Sequence, residues 1–511
     1  MITSYLSEIG CYFISDNYND SISVRNTGVV MLIGRNTEIK RLEKVYRSKE
    51  AEFVVLYGRR RVGKTFLIKN FFNNKKGTFF QVTGLKKGTM KKQLTHFSEV
   101  LSTVFSHGIP IKEPNTWEDA FKLLTQFIDT SKLKGKTVLF LDELPWLSTR
   151  KSGLLEALDY YWNQYWSSNP NIILVVCGSS ASWLIKNIIY NKGGLHNRCT
   201  CEIKLDPFNL NQTQDYLSNK GVKLNNNHIV ELCMALGGIP YYLNYVEKGL
   251  TAAQNIQKIF FDEKAPLHDE FKKLFDSLFK NAESYVELIK LIAQRKNGIS
   301  RSELELQSKH SRGGGRLTQR LKQLEQTNFI QFYLPYDKKH GEYYKVVDEF
   351  CLFYMYWMEN KRSRISIQDY WSQQTQKPIY QVWSGYAFEA ICYKHINQII
   401  KALNIKSAEG ISSWRLITRK KEVNGAQIDL LIDRSDDAIS ICEIKYINKS
   451  FIITKQYAEI LNQKVSVFKE NTKTKKQIFL VLISANGVKE NKYSNELIDE
   501  VVTLDDLFKD I

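Results

Sequence analysis

Cysteine is scarce in this sequence: the 511 residues include eight, scattered along the chain. The only closely spaced pair is Cys199 and Cys201, and no CxxC pair occurs. Zinc ribbons and disulfide frameworks need paired, regularly spaced cysteines, so the sequence indicates neither. Long apolar runs are also missing. The longest are IILVVC, CLFYMYWM and IFLVLI, far short of the roughly 20 residues that span a bilayer.

A secretory signal is not indicated either, because no basic segment followed by an apolar segment opens the chain. The composition, 43% hydrophobic and 25% charged, is that of an ordinary globular protein. We therefore expect a cytoplasmic protein with no membrane partner. A chain of this length predicts about three domains.

Positive charge is in surplus. The chain has 72 Lys and Arg residues against 54 Asp and Glu residues, a net charge of +18. Such a surplus favours a polyanionic partner, above all nucleic acid. A lysine-rich solvated surface would give the same total, so charge alone leaves both readings open.

The order of apolar runs and helical periods divides the chain into segments. From Phe53, unbroken apolar strands alternate with helices, which predicts a parallel sheet covered on both faces. A helical stretch follows, and then three helices and two strands in the order of a winged helix. The predicted segments are a disordered extension or upstream start (1–30), an α/β core (31–205), a helical segment (206–280), a winged helix (281–350), a helical connector (351–379) and a final α/β unit (380–511).

The clearest motif is a phosphate-binding loop between a predicted strand and a predicted helix. The pattern GxxxxGK[ST] is met by Gly58, Arg59, Arg60, Arg61, Val62, Gly63, Lys64 and Thr65. Its glycines allow backbone N–H groups to surround a phosphate, and the helix adds its positive end. We expect Lys64 to reach the β and γ phosphates of ATP and Thr65 to bind Mg²⁺.

An acidic pair ends the strand TVLFLDE. Asp142 and Glu143 would be costly at the end of a buried strand without a cation. We expect Asp142 to hold Mg²⁺ and Glu143 to polarise the water that attacks ATP. Capping of the next helix is the alternative role, which the presence of Lys64 makes less attractive.

Two further positions fit this chemistry. The strand ILVVCGSS ends in Ser179 and Ser180, and Ser179 is the better candidate to sense the γ-phosphate, although either serine could cap a helix. Arg198 is a candidate arginine finger that acts within its own chain or on a neighbour. A plain surface arginine is the alternative.

These residues resemble a known family. The stretches GRNTEIKRL, GRRRVGKT, LFLDELPWL, VVCGSS and GGIPYYL resemble prokaryotic AAA+ ATPases of the archaeal-type, STAND-related group. The resemblance implies a P-loop core at 31–205, a helical lid at 206–280, and a homo-oligomer formed through the ATPase domain. It also implies that Gly34 and Arg35 lie near the adenine, and that Gly238 and Pro240 lie in the lid beside the nucleotide.

The predicted winged helix is basic. Between Phe271 and Val346, fifteen basic residues face eight acidic ones. Leu317, Leu321 and Leu324 recur at helical spacing and define a buried face. The candidate nucleic-acid contacts are Arg316, Arg320 and Lys322 toward phosphates, with Gln319 and Gln323 toward base edges. A structural spacer without DNA contact is the alternative.

The last unit carries a second set of carboxylates. Asp429 lies on one apolar strand, and Glu443 and Lys445 lie two positions apart on the next, so both face the same side. Two acids and a lysine together suit Mg²⁺-dependent hydrolysis of a phosphodiester. An alternating strand with a surface ion pair is the alternative.

This set resembles the D…ExK motif of the PD-(D/E)XK restriction-endonuclease-like superfamily over about residues 380–485. The resemblance adds Glu389 to the metal ligands, implies an orienting role for Lys445, and matches Gln456 to a polar position. Together the motifs imply an ATPase that acts on nucleic acid, with DNA favoured over RNA, and couples ATP turnover to Mg²⁺-dependent DNA cleavage by the C-terminal unit. The alternatives are a STAND-like signalling switch and a DNA-binding regulator with an inert nuclease fold.

Overall fold

A parallel sheet of five strands organises the first half of the described chain. The structure is a computed structural model and describes residues 32–131, 133–190, 193–295, 298–310, 314–336, 341–359, 369–416 and 425–510. The five strands are β1 (Glu52–Tyr57), β2 (Gly77–Thr83), β3 (Lys136–Asp142), β4 (Ile172–Gly178) and β5 (Cys201–Lys204). Their order is β2-β3-β4-β1-β5 and every pairing is parallel. The carboxyl ends of β1, β3 and β4 therefore meet at one edge.

Helices cover both faces of this sheet, as expected for strands that are apolar throughout. Every residue of β4 is buried, and the indole of Trp117 packs with Phe97 and Phe121 against the sheet. The helices are α1 (Asn36–Arg47), α2 (Lys64–Asn73), α3 (Met90–Phe105), α4 (Trp117–Thr130), α5 (Leu144–Leu147), α6 (Leu154–Tyr161) and α7 (Ala181–Leu184). Two of them continue as wider helical turns, α6 into Trp162–Trp166 and α7 into Ile185–Ile189.

The predicted parallel sheet is confirmed, and so are the four strands read from the sequence. The fifth strand, β5, was not predicted. It has four residues, of which only Ile203 is buried, and it pairs with β1 alone, so it lacks the apolar run of a central strand. Helix α3 was also missed, although Thr89 caps it and an apolar face buries Leu94, Phe97 and Leu101.

Helices follow the sheet, as the sequence predicts. They are α8 (Leu210–Asn219), α9 (Asn226–Leu236), α10 (Pro240–Leu243), α11 (Ala252–Ile256) with its continuation Gln257–Phe261, and α12 (Glu270–Leu278). Asn209 and Gln212 form a reciprocal capping box at the start of α8. Gly237, with φ +71°, ends α9 in the left-handed conformation that favours glycine.

Three helices and a small antiparallel sheet come next. The elements are α13 (Ala282–Ala293), β6 (Ile299–Ser300), α14 (Arg301–Gln307), α15 (Gly314–Gln326), β7 (Ile330–Tyr333) and β8 (Tyr343–Val346), with strand order β6-β8-β7. The predicted buried face of α15 is confirmed, because Leu317, Leu321 and Leu324 are buried. Then follow α16 (Glu349–Phe353), its continuation Tyr354–Met358, and α17 (Tyr370–Thr375).

A mixed five-stranded sheet forms the last part of the chain. Its elements are α18 (Pro378–Lys394), α19 (Ile396–Ala402), β9 (Ala408–Leu416), β10 (Ala426–Arg434), β11 (Ala438–Lys445), α20 (Lys455–Thr472), β12 (Gln477–Ser484), α21 (Lys492–Leu497), β13 (Glu500–Val502) and α22 (Leu504–Leu507). The order is β13-β12-β11-β10-β9, antiparallel from β9 to β11 and parallel beyond. Leu430 pairs with Cys442, which sets Asp429 beside Glu443 as expected.

The expected N-terminal extension, residues 1–30, lies outside the described residues. Within the described ranges, no helix combines the length and the apolar character that crossing a membrane requires.

One buried histidine ties the first half of the chain to the second. The imidazole of His395, between α18 and α19, is 1% exposed. Its Nε2 accepts a hydrogen bond from the N–H of Leu210 at 3.0 Å, and its Nδ1 lies 2.8 Å from the carbonyl oxygen of Ile391. An imidazole that accepts through Nε2 is neutral, so Nδ1 is the donor to Ile391.

This contact makes stability depend on pH. Burial lowers the pKa of the His395 imidazole from 6.5 to about 4. The unfolded chain therefore binds the proton more tightly than the folded chain, and the stabilisation is complete above the unfolded pKa and is lost as the pH falls from 6.5 toward 4. Between pH 7 and pH 5 we expect a loss of about 2 kcal/mol in unfolding free energy from this group.

The measurement is urea unfolding of the wild type and of His395→Gln at both pH values. Glutamine can form both hydrogen bonds and does not titrate, so the pH dependence of the variant should be weaker by that amount. Equal pH dependence of the two proteins would contradict the role of His395.

Candidate ATP site and C-terminal carboxylate cluster

The phosphate-binding loop lies between β1 and α2, at the edge where three parallel strands end. Gly58 has φ +151°, and a side chain there would come within 2.2 Å of the carbonyl oxygen of Leu205. Gly63 precedes α2 with φ +92°, a backbone conformation that costs little only for glycine. Steric space and backbone conformation thus explain why the motif needs glycine at both positions.

Lys64 is held inside this loop. Its side chain is buried, and its Nζ donates to the carbonyl oxygens of Gly58 at 3.0 Å and Arg59 at 2.9 Å. Helix α2 begins at Lys64 and directs the positive end of its dipole toward the loop. The ammonium group and the helix end together create a positive site for an anion.

Asp142 lies opposite Thr65, as the sequence predicts for a Mg²⁺ site. The Thr65 hydroxyl donates to Asp142 Oδ2 at 2.9 Å, and Cys177 Sγ lies 3.2 Å from Oδ1. Burial raises the pKa of the Asp142 carboxyl, and the neighbouring charge of Glu143 raises it further. A bound cation would relieve both effects, and oxygen donors of this kind are those that Mg²⁺ prefers.

Glu143 and Ser179 are in direct contact, so the structure brings together the predicted general base and the predicted sensor. The Glu143 carboxylate accepts from the backbone N–H of Ser179 at 3.0 Å and from its hydroxyl group. Glu143 has φ +48°, in the left-handed region that non-glycine residues rarely adopt. Strained backbone of this kind is concentrated at functional sites, where the surrounding structure holds it in place.

Comparison with known proteins agrees with this geometry. The family described as "ATPase domain predominantly from Archaea" matches residues 32–246. Residues 32–246 are an ATPase domain of this archaeal type. An uncharacterized ATP-binding protein of Methanocaldococcus jannaschii is 51% identical over 49 residues, which are 10% of this chain and 83% of that protein. A second uncharacterized protein of the same organism is 26% identical over 376 residues, 73% of this chain and 78% of that protein.

Solved structures resemble the chain weakly. A Walker-type ATPase of Pyrococcus abyssi has a TM-score of 0.45 and 20% identity, and the match covers 63% of this chain and 96% of that one. The ORC2 protein of Aeropyrum pernix has a TM-score of 0.42 and 13% identity, with 63% and 92% covered. Likeness at this level carries no functional inference.

Two loop arginines of the ATPase domain do not turn toward the phosphate position. The Arg59 guanidinium is fully buried and forms a two-point ion pair with Asp348, at 2.9 and 3.2 Å. Arg61 Nη1 lies 2.9 Å from Glu270 Oε2, and its guanidinium lies over the ring of Tyr241. Both were predicted to bind the nucleotide. Their backbone remains in the loop, while their side chains tie it to later helices.

The ion pair with Asp348 decides the direction in which the pKa of Arg59 shifts. Burial alone would lower the pKa of the Arg59 guanidinium, but the charge of Asp348 outweighs burial and raises it. Asp348 also caps α16 by accepting from the N–H of Cys351 at 2.8 Å. The P-loop and the start of α16 are therefore joined by one buried charge pair.

The remaining predicted ATP-site residues have different surroundings. Arg35 is buried and donates to the carbonyl oxygens of Val62 at 3.0 Å and Asp206 at 2.8 Å. It therefore links the phosphate-binding loop to the segment that follows β5. Pro240 begins α10 and is buried. Arg198 is exposed, and its Nε lies 3.4 Å from the carbonyl oxygen of Gly194. Arg60 is half-buried.

The C-terminal carboxylates gather around the carboxyl end of β11. Glu443 is buried and accepts from Lys445 at 2.8 Å, Lys464 at 2.7 Å and the Tyr457 hydroxyl at 2.6 Å. Burial would raise the pKa of the Glu443 carboxyl, but Lys445 and Lys464 outweigh it and hold the pKa below its usual value. Glu443 is therefore ionised and engaged by two lysines.

Among the residues that the structure describes, neither Asp429 nor Glu389 forms an ion pair like those of Glu443, although Lys345 acts electrostatically on both. Burial raises the pKa of Asp429, with Glu443 as the next cause. Burial raises the pKa of Glu389 to about 8, and the charge of Asp429 adds to the shift. Across the part of the chain that the structure describes, no group of three or more His, Cys, Asp or Glu side chains could hold a metal ion. Glu443 is instead paired with Lys445 and Lys464 in this arrangement.

The predicted basic residues of α15 differ in their exposure and in their hydrogen bonds. Arg316 and Lys322 are exposed, as a nucleic-acid contact requires. Arg320 instead donates to the carbonyl oxygen of His310 at 2.6 Å. The side chain of Gln323 accepts a hydrogen bond from the Tyr285 hydroxyl and so links α15 to α13.

Three residues near the C-terminal carboxylates were missed by sequence reasoning. Tyr457 and Lys464 lie two turns apart on one face of α20, a spacing that could have revealed them, whereas Gln456 was chosen instead. Lys345, on β8, acts electrostatically on Glu389 and Asp429. It comes from another segment, and no local pattern signals it.

Proposed function

We propose that the ATPase domain binds and hydrolyses ATP with Mg²⁺ and that this cycle controls an action on nucleic acid. The observation that carries the ATP half is the 2.9 Å contact of Thr65 with Asp142. These two oxygen donors lie beside the buried ammonium group of Lys64 and would hold the ion. When bound, Mg²⁺ neutralises charge on the phosphate oxygens during transfer.

The chain's own residues supply the other parts of the reaction. Lys64 would exchange its contacts with Gly58 and Arg59 for phosphate oxygens. Glu143, positioned by Ser179, would orient the attacking water and accept its proton. The exposed Arg198 would act as a finger toward a neighbouring subunit of a homo-oligomer.

We further propose that the C-terminal unit cleaves nucleic acid. Its support is the placement of Asp429 beside Glu443 and Lys445 on adjacent strands, with Glu389 close by on α18. Mg²⁺ commonly binds through one or two carboxylates and substrate phosphates, so Asp429 and Glu389 would suffice as ligands. Lys445 would orient the attacking water. The exposed Arg316 and Lys322 would contact phosphates of the same substrate.

A DNA-binding regulator with an inert C-terminal unit is the second candidate. It is favoured by the engagement of Glu443 with Lys445, Lys464 and Tyr457, which leaves this carboxylate poorly placed to take a metal.

Incubation with plasmid DNA and with RNA, with Mg²⁺ or Mn²⁺ and with or without ATP, separates these candidates. Cleavage requires Mg²⁺ or Mn²⁺ and is lost in Asp429→Asn if the proposal holds. The matched control is Asp436→Asn. Asp436 is an exposed aspartate in the turn between β10 and β11, where it pairs with Arg434.

Absence of cleavage by the wild type overturns the nuclease half. Salt-sensitive binding of duplex DNA without cleavage then favours the regulator. ATP-dependent assembly without nucleic-acid binding favours the signalling switch.

A further inference from the structure

A cavity of about 550 Å³ lies between the three-stranded sheet and the C-terminal unit. Its walls come from α13, β7 and β8 on one side, and from α18 and β9 on the other, with the continuation of α16 between them. Cavities of about 300–1,000 Å³ are typical of small-molecule sites. Glu389 lines the cavity, and the hydroxyl of its neighbour Tyr393 donates to the backbone oxygen of Asp429 at 2.8 Å. The cavity therefore reaches the C-terminal carboxylates.

Aromatic rings make much of this lining. Tyr333 comes from β7, Tyr356 from the continuation of α16, and Tyr386 and Tyr393 both come from α18. Trp383 is 3% exposed, lines the cavity, and its indole N–H has no hydrogen-bond acceptor among the residues the structure describes. A buried donor without an acceptor is costly, so a ligand that brings an acceptor would be favoured.

Positive charge lies within the same cavity. The Lys345 ammonium group is 4.8 Å from the ring centre of Tyr333 and 4.9 Å from that of Tyr393, so it is held between two aromatic faces. Arg295 lines the rim, and Lys290 pairs there with Glu359. A flat aromatic group joined to an anion fits this combination of rings and cations.

We propose that this cavity binds one nucleotide unit of a single-stranded nucleic acid, with the base stacked on the tyrosine rings and the phosphate against Lys345. A cavity of about 550 Å³ has no room for a duplex. The phosphate would then lie beside Glu389, so the proposal names single strands as the substrate class. It rests on the proposed action on nucleic acid.

The test is fluorescence anisotropy of a labelled oligothymidylate in EDTA, which prevents metal-dependent cleavage. The Lys64→Ala background keeps nucleotides off the P-loop. Ala293→Phe fills the cavity without changing the charge, and loss of stacking is expected to weaken binding by about tenfold or more. Ala253→Phe, at a half-buried helical alanine outside the cavity, is the matched control. Melting midpoints of both variants verify folding.

Lys345→Met provides a second variant that keeps most of the side-chain volume. It should weaken binding and reduce the slope of log affinity against log salt by about one. Lys475→Met removes an exposed charge elsewhere and should change affinity less. Competition with thymidine monophosphate distinguishes a free nucleotide from a strand, and either one supports the site if Ala293→Phe abolishes its binding.

Undiminished oligothymidylate binding by both Ala293→Phe and Lys345→Met would overturn the proposal, and so would equal affinity for a blunt duplex. Because binding is read without metal, cavity binding without cleavage would count against the nuclease alone. Cleavage that persists in Ala293→Phe would count against the cavity alone.

Discussion

Replacing Glu143 by glutamine is expected to leave ATP binding intact and to lower ATP turnover by about 100-fold or more. Glutamine has nearly the same shape and can still contact Ser179, which holds the carboxylate at 3.0 Å through its N–H. It cannot accept a proton from the attacking water, however. Phosphate release gives the turnover number, and calorimetry gives the affinity for ATP.

The control for Glu143→Gln is Glu50→Gln, because Glu50 is an exposed glutamate of the same domain. It should turn over ATP at the wild-type rate. Wild-type turnover by Glu143→Gln would contradict the assignment of Glu143 as the base. Loss of ATP binding in that variant would mean that the residue shapes the site rather than the reaction.

Breaking the ion pair between Arg59 and Asp348 is expected to destabilise the chain by about 3–5 kcal/mol. Arg59→Met leaves the Asp348 carboxylate buried, 4% exposed, without its partner. Removal of both charges in Arg59→Met/Asp348→Leu should recover part of the loss, since the second change removes the uncompensated charge. Urea unfolding of the wild type, the two single variants and the double variant measures the coupling.

An exposed arginine serves as the matched comparison. Arg47, 80% exposed, lies 3.6 Å from Glu43 on α1, and Arg47→Met should change stability by about 0–1 kcal/mol. If Arg59→Met proved as mild as Arg47→Met, the buried pair would not join the P-loop to α16 as described.

The ATP site could be predicted because its residues stand where apolar strands end and where a helix begins, and both positions can be recognised in the sequence. Lys64 and Thr65 follow a strand and begin a helix, and Asp142 ends a second apolar strand. Parallel strands bring their carboxyl ends to one edge, so the contact of Thr65 with Asp142 follows from the strand order. Only the conformation of Glu143, at φ +48°, has no counterpart in the sequence pattern.

The loop arginines show what local patterns miss. Arg59 stands at a variable position of the motif, and its partner Asp348 is 289 residues away. The motif places Arg59 at the nucleotide without fixing the direction of its side chain, and the guanidinium is buried among Tyr242, Phe329 and Phe350. Such pairs depend on how later helices pack against the ATPase domain, and no spacing in the sequence signals that packing.

The arrangement of the C-terminal carboxylates could be predicted only in part. Period-two alternation places Glu443 and Lys445 on one side of β11, and their predicted proximity is confirmed at 2.8 Å. The second lysine on Glu443, Lys464, comes from the following helix and pairs with the carboxylate at 2.7 Å. Side-chain competition of this kind is decided by tertiary packing.

Calorimetric titration of ATP with Mg²⁺ into the wild type and into Lys64→Ala tests the central claim most directly. The account predicts one nucleotide bound per wild-type chain and none by Lys64→Ala, because the loop would lose the ammonium group that lies 3.0 and 2.9 Å from its carbonyl oxygens. No uptake by the wild type, or the same uptake by both proteins, would contradict it.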